Sequence, residues 1–278
     1  MARDDKKQVT EELSATLTRA RISGDLRALG LAAGDIVLVH SSMKALGRVE
    51  GGPDAVIDAF LDVLGRSGTL VFPSFQAGGE HELLRNNCVF DVRSTPTGTG
   101  LLPETFRRRP GVTRSLSPTH CMAVYGKNAV ELMAGHELCD VSAGRNSPFE
   151  KMISIHAKIV LLGVTHAADT TLHFIENTSG APTLCRELFQ PSVIDTEGRT
   201  IVVPTHPHMP GLRRRYERVE DVLILAGIQK NGMVGQALTR VVDAAGMAQV
   251  IGEKIRRDPL YLIEVFTPSK RNKIGEKK

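Results

Sequence analysis

Lys158-Ile-Val-Leu-Leu-Gly-Val-Thr-His-Ala-Ala-Asp-Thr-Thr-Leu-His-Phe-Ile-Glu176 is the stretch from which the fold is read. Ile159 to Leu162 is an unbroken apolar run, which predicts a strand buried on both faces. Gly163 to Ala168 reads as a turn. Asp169 stands at a helix N-cap position, where a carboxylate accepts from backbone N–H groups of the first turn. From Thr170 the chain reads as helix. Thr170, His173 and Glu176 follow at intervals of three and share roughly one face of it. A hydroxyl, an imidazole and a carboxylate leaving a buried strand together form a candidate proton-handling unit. Open α/β folds place their chemistry at such strand ends.

The segments on either side continue the strand-and-helix alternation. Asp35 to His40 is a second buried strand, followed by His40-Ser41-Ser42, a glycine-bearing loop and a helix from Pro53 to Leu64. Pro53 suits a first helical position. No Gly-Lys-Ser/Thr sequence makes this a P-loop, yet its backbone N–H groups can hold a phosphate or a carbonyl oxygen. Gly68 to Pro73 and Met122 to Tyr125 are further strands. Between them lies a long polar segment, Gln76 to Gly100, of the kind that is functional when it occurs inside a domain. Helices are expected at Thr10–Ile22, Ser23–Gly34, Leu102–Arg108, Ala129–Cys139, Asp221–Ala226 and Met247–Arg257. Ser147-Pro148 opens another helix. Ser192 to Pro204 reads as a hairpin around Thr196-Glu-Gly198, and Gly235 to Ala244 carries a strand. The expected fold is α/β: one domain over residues 9–268, three layers α/β/α around a mostly buried mixed central sheet. Residues 1–8 are expected to be disordered and 269–278 to form a basic tail.

Composition narrows the function. The 278 residues are 41% hydrophobic and 24% charged, as in soluble globular proteins. No apolar run reaches the roughly 20 residues of a membrane span, and the N-terminus lacks a signal-peptide core. A cytoplasmic location is expected. Cys88, Cys121, Cys139 and Cys185 form no C-x-x-C pair, which argues against a zinc ribbon or redox motif. The net charge is +4, concentrated in Arg107–Arg109, Arg213–Arg215 and the tail from Lys270. Aromatic residues are 4% and Trp is absent, so a stacking surface for nucleic acid is not expected.

Several segments together resemble the aminoglycoside 3-N-acetyltransferase family. They are Leu161-Leu-Gly-Val with Asp169-Thr-Thr-Leu-His-Phe-Ile-Glu176; His40-Ser-Ser with Leu46-Gly-x-Val-Glu-Gly-Gly52; Phe90-Asp91 with Thr95-Pro and Thr97-Gly; Arg114-Ser115-Leu-Ser117-Pro118; and Gly144-Arg-Asn-Ser147-Pro148. One departure is Ser117, where the family usually carries His. The resemblance implies an acyltransferase that uses acetyl-CoA as co-substrate and needs no metal. It implies a small-molecule amine as partner, an aminoglycoside first of all, and leaves a homodimer open. It implies coenzyme A contacts at His40, Ser41, Ser42, Arg114 and Ser115. His173 is the implied base, with Thr170 and Glu176 around it.

The residues support that chemistry in their own terms. An amine must lose a proton before it attacks a thioester, and imidazole titrates near neutrality. The first turns of a helix favour its neutral form. Glu176 is placed to fix the ring's tautomer. His166 is a less certain rival for the base. Asp91, Glu150 and Glu80 are the candidate carboxylates for a cationic acceptor. A cysteine nucleophile, Cys121 or Cys185, is a second mechanism, without a basic neighbour in sequence to activate it. His206-Pro-His208 gives a weak metal signal, with no third ligand in sequence. The alternatives are a related N-acyltransferase acting on another amine and a non-enzymatic basic module that binds anions.

Overall fold

The computed structural model describes residues 16–264. Residues 1–8, the tail 269–278 and most of the first half of the expected Thr10–Ile22 helix lie outside them. Seven strands form one mixed sheet. In spatial order they are β4 (Thr113–Arg114), β5 (Met122–Gly126), β2 (Thr69–Pro73), β1 (Ile36–Ser41), β6 (Lys158–Leu162), β10 (Ala237–Asp243) and β9 (Gln229–Val234). Only β1 runs parallel to both of its neighbours, β2 and β6. A second sheet holds β3 (Val89–Asp91), β7 (Ser192–Ile194) and β8 (Thr200–Val202), the last two forming the expected hairpin.

The apolar central strands build two cores because successive side chains point to opposite faces. Val37, Val39, Leu70, Phe72, Val160 and Leu162 pack with α1 (Arg19–Ala28), α2 (Gly52–Leu64) and α4 (Leu101–Arg107). Leu38, Val71, Ile159 and Leu161 pack on the other face. Their partners there are α5 (Ala129–Met133), α6 (Pro148–Ser154), α7 (Thr171–Ser179), α8 (Val219–Leu225) and α9 (Ala244–Arg257). The result is the expected three-layer α/β/α arrangement. The helices that follow β1 and β6 lie on opposite faces, so the C-terminal ends of these adjacent strands border a crevice of the kind that holds ligands in open sheets.

Some elements differ from expectation. Where a new helix was expected to start at Ser23, α1 begins at Arg19 and runs through Gly24 to Ala28. The helix expected over Ala129–Cys139 stops at Met133, because Gly135 takes φ +74° and restarts the chain as a 3₁₀ turn, His136–Leu138. The long polar segment contains α3 (Glu80–Arg85) and β3. β9 was not anticipated: it is an edge strand whose interior residues are polar or exposed, so the period-two signal is weak. Among the described residues, no helix is long and apolar enough to cross a membrane.

Candidate active site

The site grows from the exit of β6. Gly163 has φ +68°, and a Cβ there would lie 2.4 Å from that of Ala45, so the tight turn into the 3₁₀ segment His166–Ala168 requires glycine. Asp169 caps the following helix through Oδ1, which accepts from Thr171 N at 3.0 Å. Thr170 is the formal cap residue but makes no side-chain cap bond. Leu172 and Ile175 bury against the sheet, which fixes the rotation of α7 and leaves His173 on its cavity side.

His173 and Glu176 meet as the spacing predicts, but through a third group. The Tyr216 hydroxyl donates to Glu176 Oε2 at 2.7 Å and lies 2.9 Å from His173 Nδ1. Its one proton is thus committed to the carboxylate, so the Tyr216 oxygen accepts from His173 Nδ1–H. Glu176 is fully buried and also accepts from Arg214 Nε at 3.1 Å. This order of donors makes His173 the Nδ1–H tautomer. Its Nε2 has no hydrogen-bond partner among the described residues and holds a lone pair. Burial first, then the neighbouring His208, His120 and Arg214, hold His173 well below the ordinary imidazole range. Burial and the Glu176 charge push the Tyr216 phenol far up, so it stays protonated.

His120 and His208 complete a triangle of imidazoles, with ring centroids 4.3 Å (His173–His208), 5.5 Å (His120–His208) and 5.6 Å (His120–His173) apart. Glu80 bonds the His208 ring and faces His120, whose Nδ1 is bonded by Ser142 Oγ at 2.8 Å. Glu80 Oε2 lies 2.7 Å from His208 Nδ1 and Oε1 3.6 Å from His120 Nδ1. Burial alone would raise the Glu80 carboxyl, but the two histidines keep it below the usual range. Burial lowers His120 to about 4. The ligand atoms of Glu80, His120 and His208 lie within 4.8 Å of one another, a spacing that invites a metal. The hydrogen-bond directions oppose one. Asn177 Nδ2 donates to the Ala143 carbonyl and faces His208 Nε2, so Nε2 accepts, Nδ1 carries the proton to Glu80, and His208 has no spare lone pair for a cation.

The three imidazoles and Glu80 line an open cavity of about 700 Å³, together with Glu82, Arg85 and Arg214. Of the carboxylates expected to receive an acceptor, only Glu80 is here. Asp91 is bound by Arg93 beside β3, and Glu150 accepts from Asn146 N on α6. His40 and Ser41 close β1, and Ser42 N donates to the Leu162 carbonyl. The Ser41 and Thr170 hydroxyls are buried without partners. Arg114 and Ser115 are bonded within the protein. The Arg114 guanidinium donates to the carbonyls of Ser74, Thr95 and Val92 and stacks on Phe90. Ser115 Oγ bonds Met122 N and His136 Nδ1. Arg114 thus ties Val92 and Thr95 to the sheet, and Ser115 joins β5 to His136. Cys121 is buried and its thiol is pushed up, chiefly by burial, which disfavours a thiolate nucleophile. Tyr216, Arg214 and His120 went unassigned in sequence, and His208 was read only as a weak metal ligand, because their partners lie dozens of residues away.

A family model for aminoglycoside 3-N-acetyltransferase matches residues 38–256. Aminoglycoside N(3)-acetyltransferase VIII of Streptomyces fradiae is 29% identical, covering 94% of this chain and 92% of its own length. Aminoglycoside N(3)-acetyltransferase VII of Streptomyces paromomycinus is 33% identical, over 64% and 66%. The crystal structure of aminoglycoside acetyltransferase AAC(3)-Xa superposes with a TM-score of 0.78 at 29% identity, covering 91% of this chain and 97% of that one. AAC-IIIb in a binary complex with CoASH gives 0.78 at 25%, over 87% and 97%. Fold and likeness define an acyltransferase. The chain belongs to the aminoglycoside 3-N-acetyltransferase family.

Proposed function

We propose that the chain transfers an acetyl group from acetyl-CoA to the 3-amino group of an aminoglycoside by direct attack, with His173 as general base. The observation that carries this reading is the proton order His173 Nδ1–H to Tyr216 to Glu176, which leaves the His173 Nε2 lone pair without a partner in the cavity. Acetyl-CoA supplies an activated acyl carbon. As the acceptor nitrogen bonds to that carbon, the nitrogen turns acidic and its proton passes to His173 Nε2, the C–S bond breaks, and the thiolate takes up a proton. Glu176, buried and anionic, stabilises the imidazolium that forms. The unpartnered Ser41 and Thr170 hydroxyls at the strand ends are the polar atoms offered to the donor, and CoASH binding by AAC-IIIb supports a donor site in this fold.

One observation favours a second acceptor class. In the cavity Arg85 stands against Glu82, while Arg214 is paired with Glu176 and Glu80 is bonded to His208, a lining poorly matched to a polycation. An amine carrying its own anionic group fits that lining. The experiment is acetyl-CoA turnover, followed by free thiol, against a panel of aminoglycosides and of amino acids and amino-sugar phosphates. Thiol release with an aminoglycoside supports the first reading. Release only with an anionic amine replaces it by the second, and release with neither removes both.

A further inference from the structure

Outside the His173 cavity, a chain of polar side chains crosses the end of the sheet from the α8 surface to the interior. Glu220 on α8 is a carboxylate, held below the usual range: burial raises it, but the Arg240 guanidinium bonded to it prevails. A carboxylate only accepts, so Asn231 Nδ2 points at it, at 3.3 Å. Asn231 Oδ1 therefore faces Gln229 and receives Gln229 Nε2 at 2.8 Å. The Gln229 amide is thereby oriented, and its Oε1 lies 2.8 Å from His166 Nε2. An amide oxygen accepts, so His166 Nε2 carries a proton.

The other nitrogen of the same ring faces Asp169. His166 Nδ1 lies 3.5 Å from Asp169 Oδ2, and both residues are buried. A bare lone pair there would confront an anionic oxygen with nothing between them. Asp169 is itself held anionic: burial would raise its carboxyl, but the adjoining His166 and His40 and the Thr171 N–H keep it low. On its far side Oδ1 lies 3.8 Å from His40 Nε2, at the end of β1. The charged and titratable groups facing His166 are thus Asp169 beside it, His40 on β1, and Glu220 on α8 with Arg240 on β10 behind it. Gln229 on β9 is its neutral partner.

We propose that His166 is an imidazolium at neutral pH and a positioning residue: it holds Asp169 so that one carboxylate both caps the His173 helix and faces the end of β1. Donor loop and base helix are thereby referenced to a single buried ion pair. His166 acts through Asp169 and touches neither substrate. This extends the His173 reading without depending on its chemistry, since the protonation of His166 is read with no substrate present.

The test is ¹⁵N NMR of histidine-labelled full-length protein, with the His166 signals assigned by their loss in His166→Gln. At pH 7 the expected result is one ring with both nitrogens protonated, the imidazolium pattern, while His173 shows one protonated and one bare nitrogen. A neutral His166 at pH 7 overturns the proposal. Asp169→Asn removes the anion and is expected to abolish the imidazolium pattern. It should also lower kcat by roughly 10- to 100-fold through misplaced catalytic geometry, with the acceptor KM within threefold. Asp169→Asn with Gln229→Glu moves the anion to the other ring nitrogen and should restore the imidazolium without restoring kcat. If Asp169→Asn keeps kcat within twofold of the parent, the positioning role is lost. If it fails to fold, Gln229→Ala serves in its place: removing the acceptor at Nε2 should weaken the imidazolium, titrating it at lower pH than in the parent. An unchanged titration would break the chain of directions on which the proposal stands.

Discussion

His166 and His173 leave the same strand a few residues apart and end in opposite protonation states. Both are largely or wholly shielded from water, and burial alone disfavours the charged form of either ring. The partners decide the difference. His166 has an amide oxygen at one nitrogen and a carboxylate at the other, so both carry protons. His173 also has a carboxylate within 3.5 Å, but Tyr216 stands between and bonds both of them. The phenol passes the anion's orienting effect to Nδ1 without placing the full charge on the ring. Beyond it, two further imidazoles and Arg214 oppose a second proton. A neutral ring and a charged one are thus cut from one short segment by what meets each nitrogen.

The largest effect expected from breaking this contrast is at His173. Replacing it by Ala should lower kcat by roughly 10²–10⁴, the usual worth of a general base, with the acetyl-CoA KM little changed. Steady-state kinetics by thiol release measures it. Turnover within a few-fold of the parent would transfer the base role elsewhere in the cavity. Tyr216→Phe should cost less, roughly tenfold in kcat, because the ring keeps Glu176 nearby but loses the acceptor that fixes its tautomer. Equal losses for the two variants would mean that the phenol takes part in proton transfer itself.

Much of this contrast was legible in the sequence. The strand, the turn and the helix of 158–176 follow from an apolar run, a glycine and a capping aspartate, all local signals. The spacing of His173 and Glu176 was correct because helix geometry is local too. What stayed hidden was every partner supplied by another segment. Tyr216 lies 40 residues beyond Glu176, and Gln229 lies 63 beyond His166. His120, His208 and Glu80 converge from three loops or short elements. Arg114 shows the opposite case. Its motif was readable, but only the fold shows which carbonyl groups its guanidinium meets. Glu150 and Asp91 are similar, since a carboxylate in a matching motif carries no sign of which cation or N–H bonds it.

The pH dependence of activity sharpens the comparison on the catalytic side. His173 is held well below the ordinary imidazole value, so its neutral form persists as the medium is acidified through about pH 6.5. The acidic limb of kcat/KM should therefore fall below pH 6, leaving a level region above it. An acidic limb near pH 6.5 or higher would mean that His173 is unshifted or that another group controls the rate.

The smallest effect is on stability, where the two histidines should pull in opposite directions. The His173 value is lower in the folded chain than in the unfolded one. As pH falls below about 6.5 the unfolded chain takes up the proton first, and stability is lost toward acid. The His166 value is raised. Its contribution is complete below about pH 6.5 and is lost as pH rises through the folded value. One group gives at most about 1.4 kcal/mol per pH unit, a few degrees in Tm for a chain of this size. Thermal melts of the parent minus His173→Gln should show a difference confined to the acidic side. The parent minus His166→Gln should show a stabilising difference that is complete at acidic pH and fades as pH rises above about 6.5. If the His166 difference instead grows destabilising toward acid, as for His173, the His166 imidazolium is wrong and burial alone has set both rings.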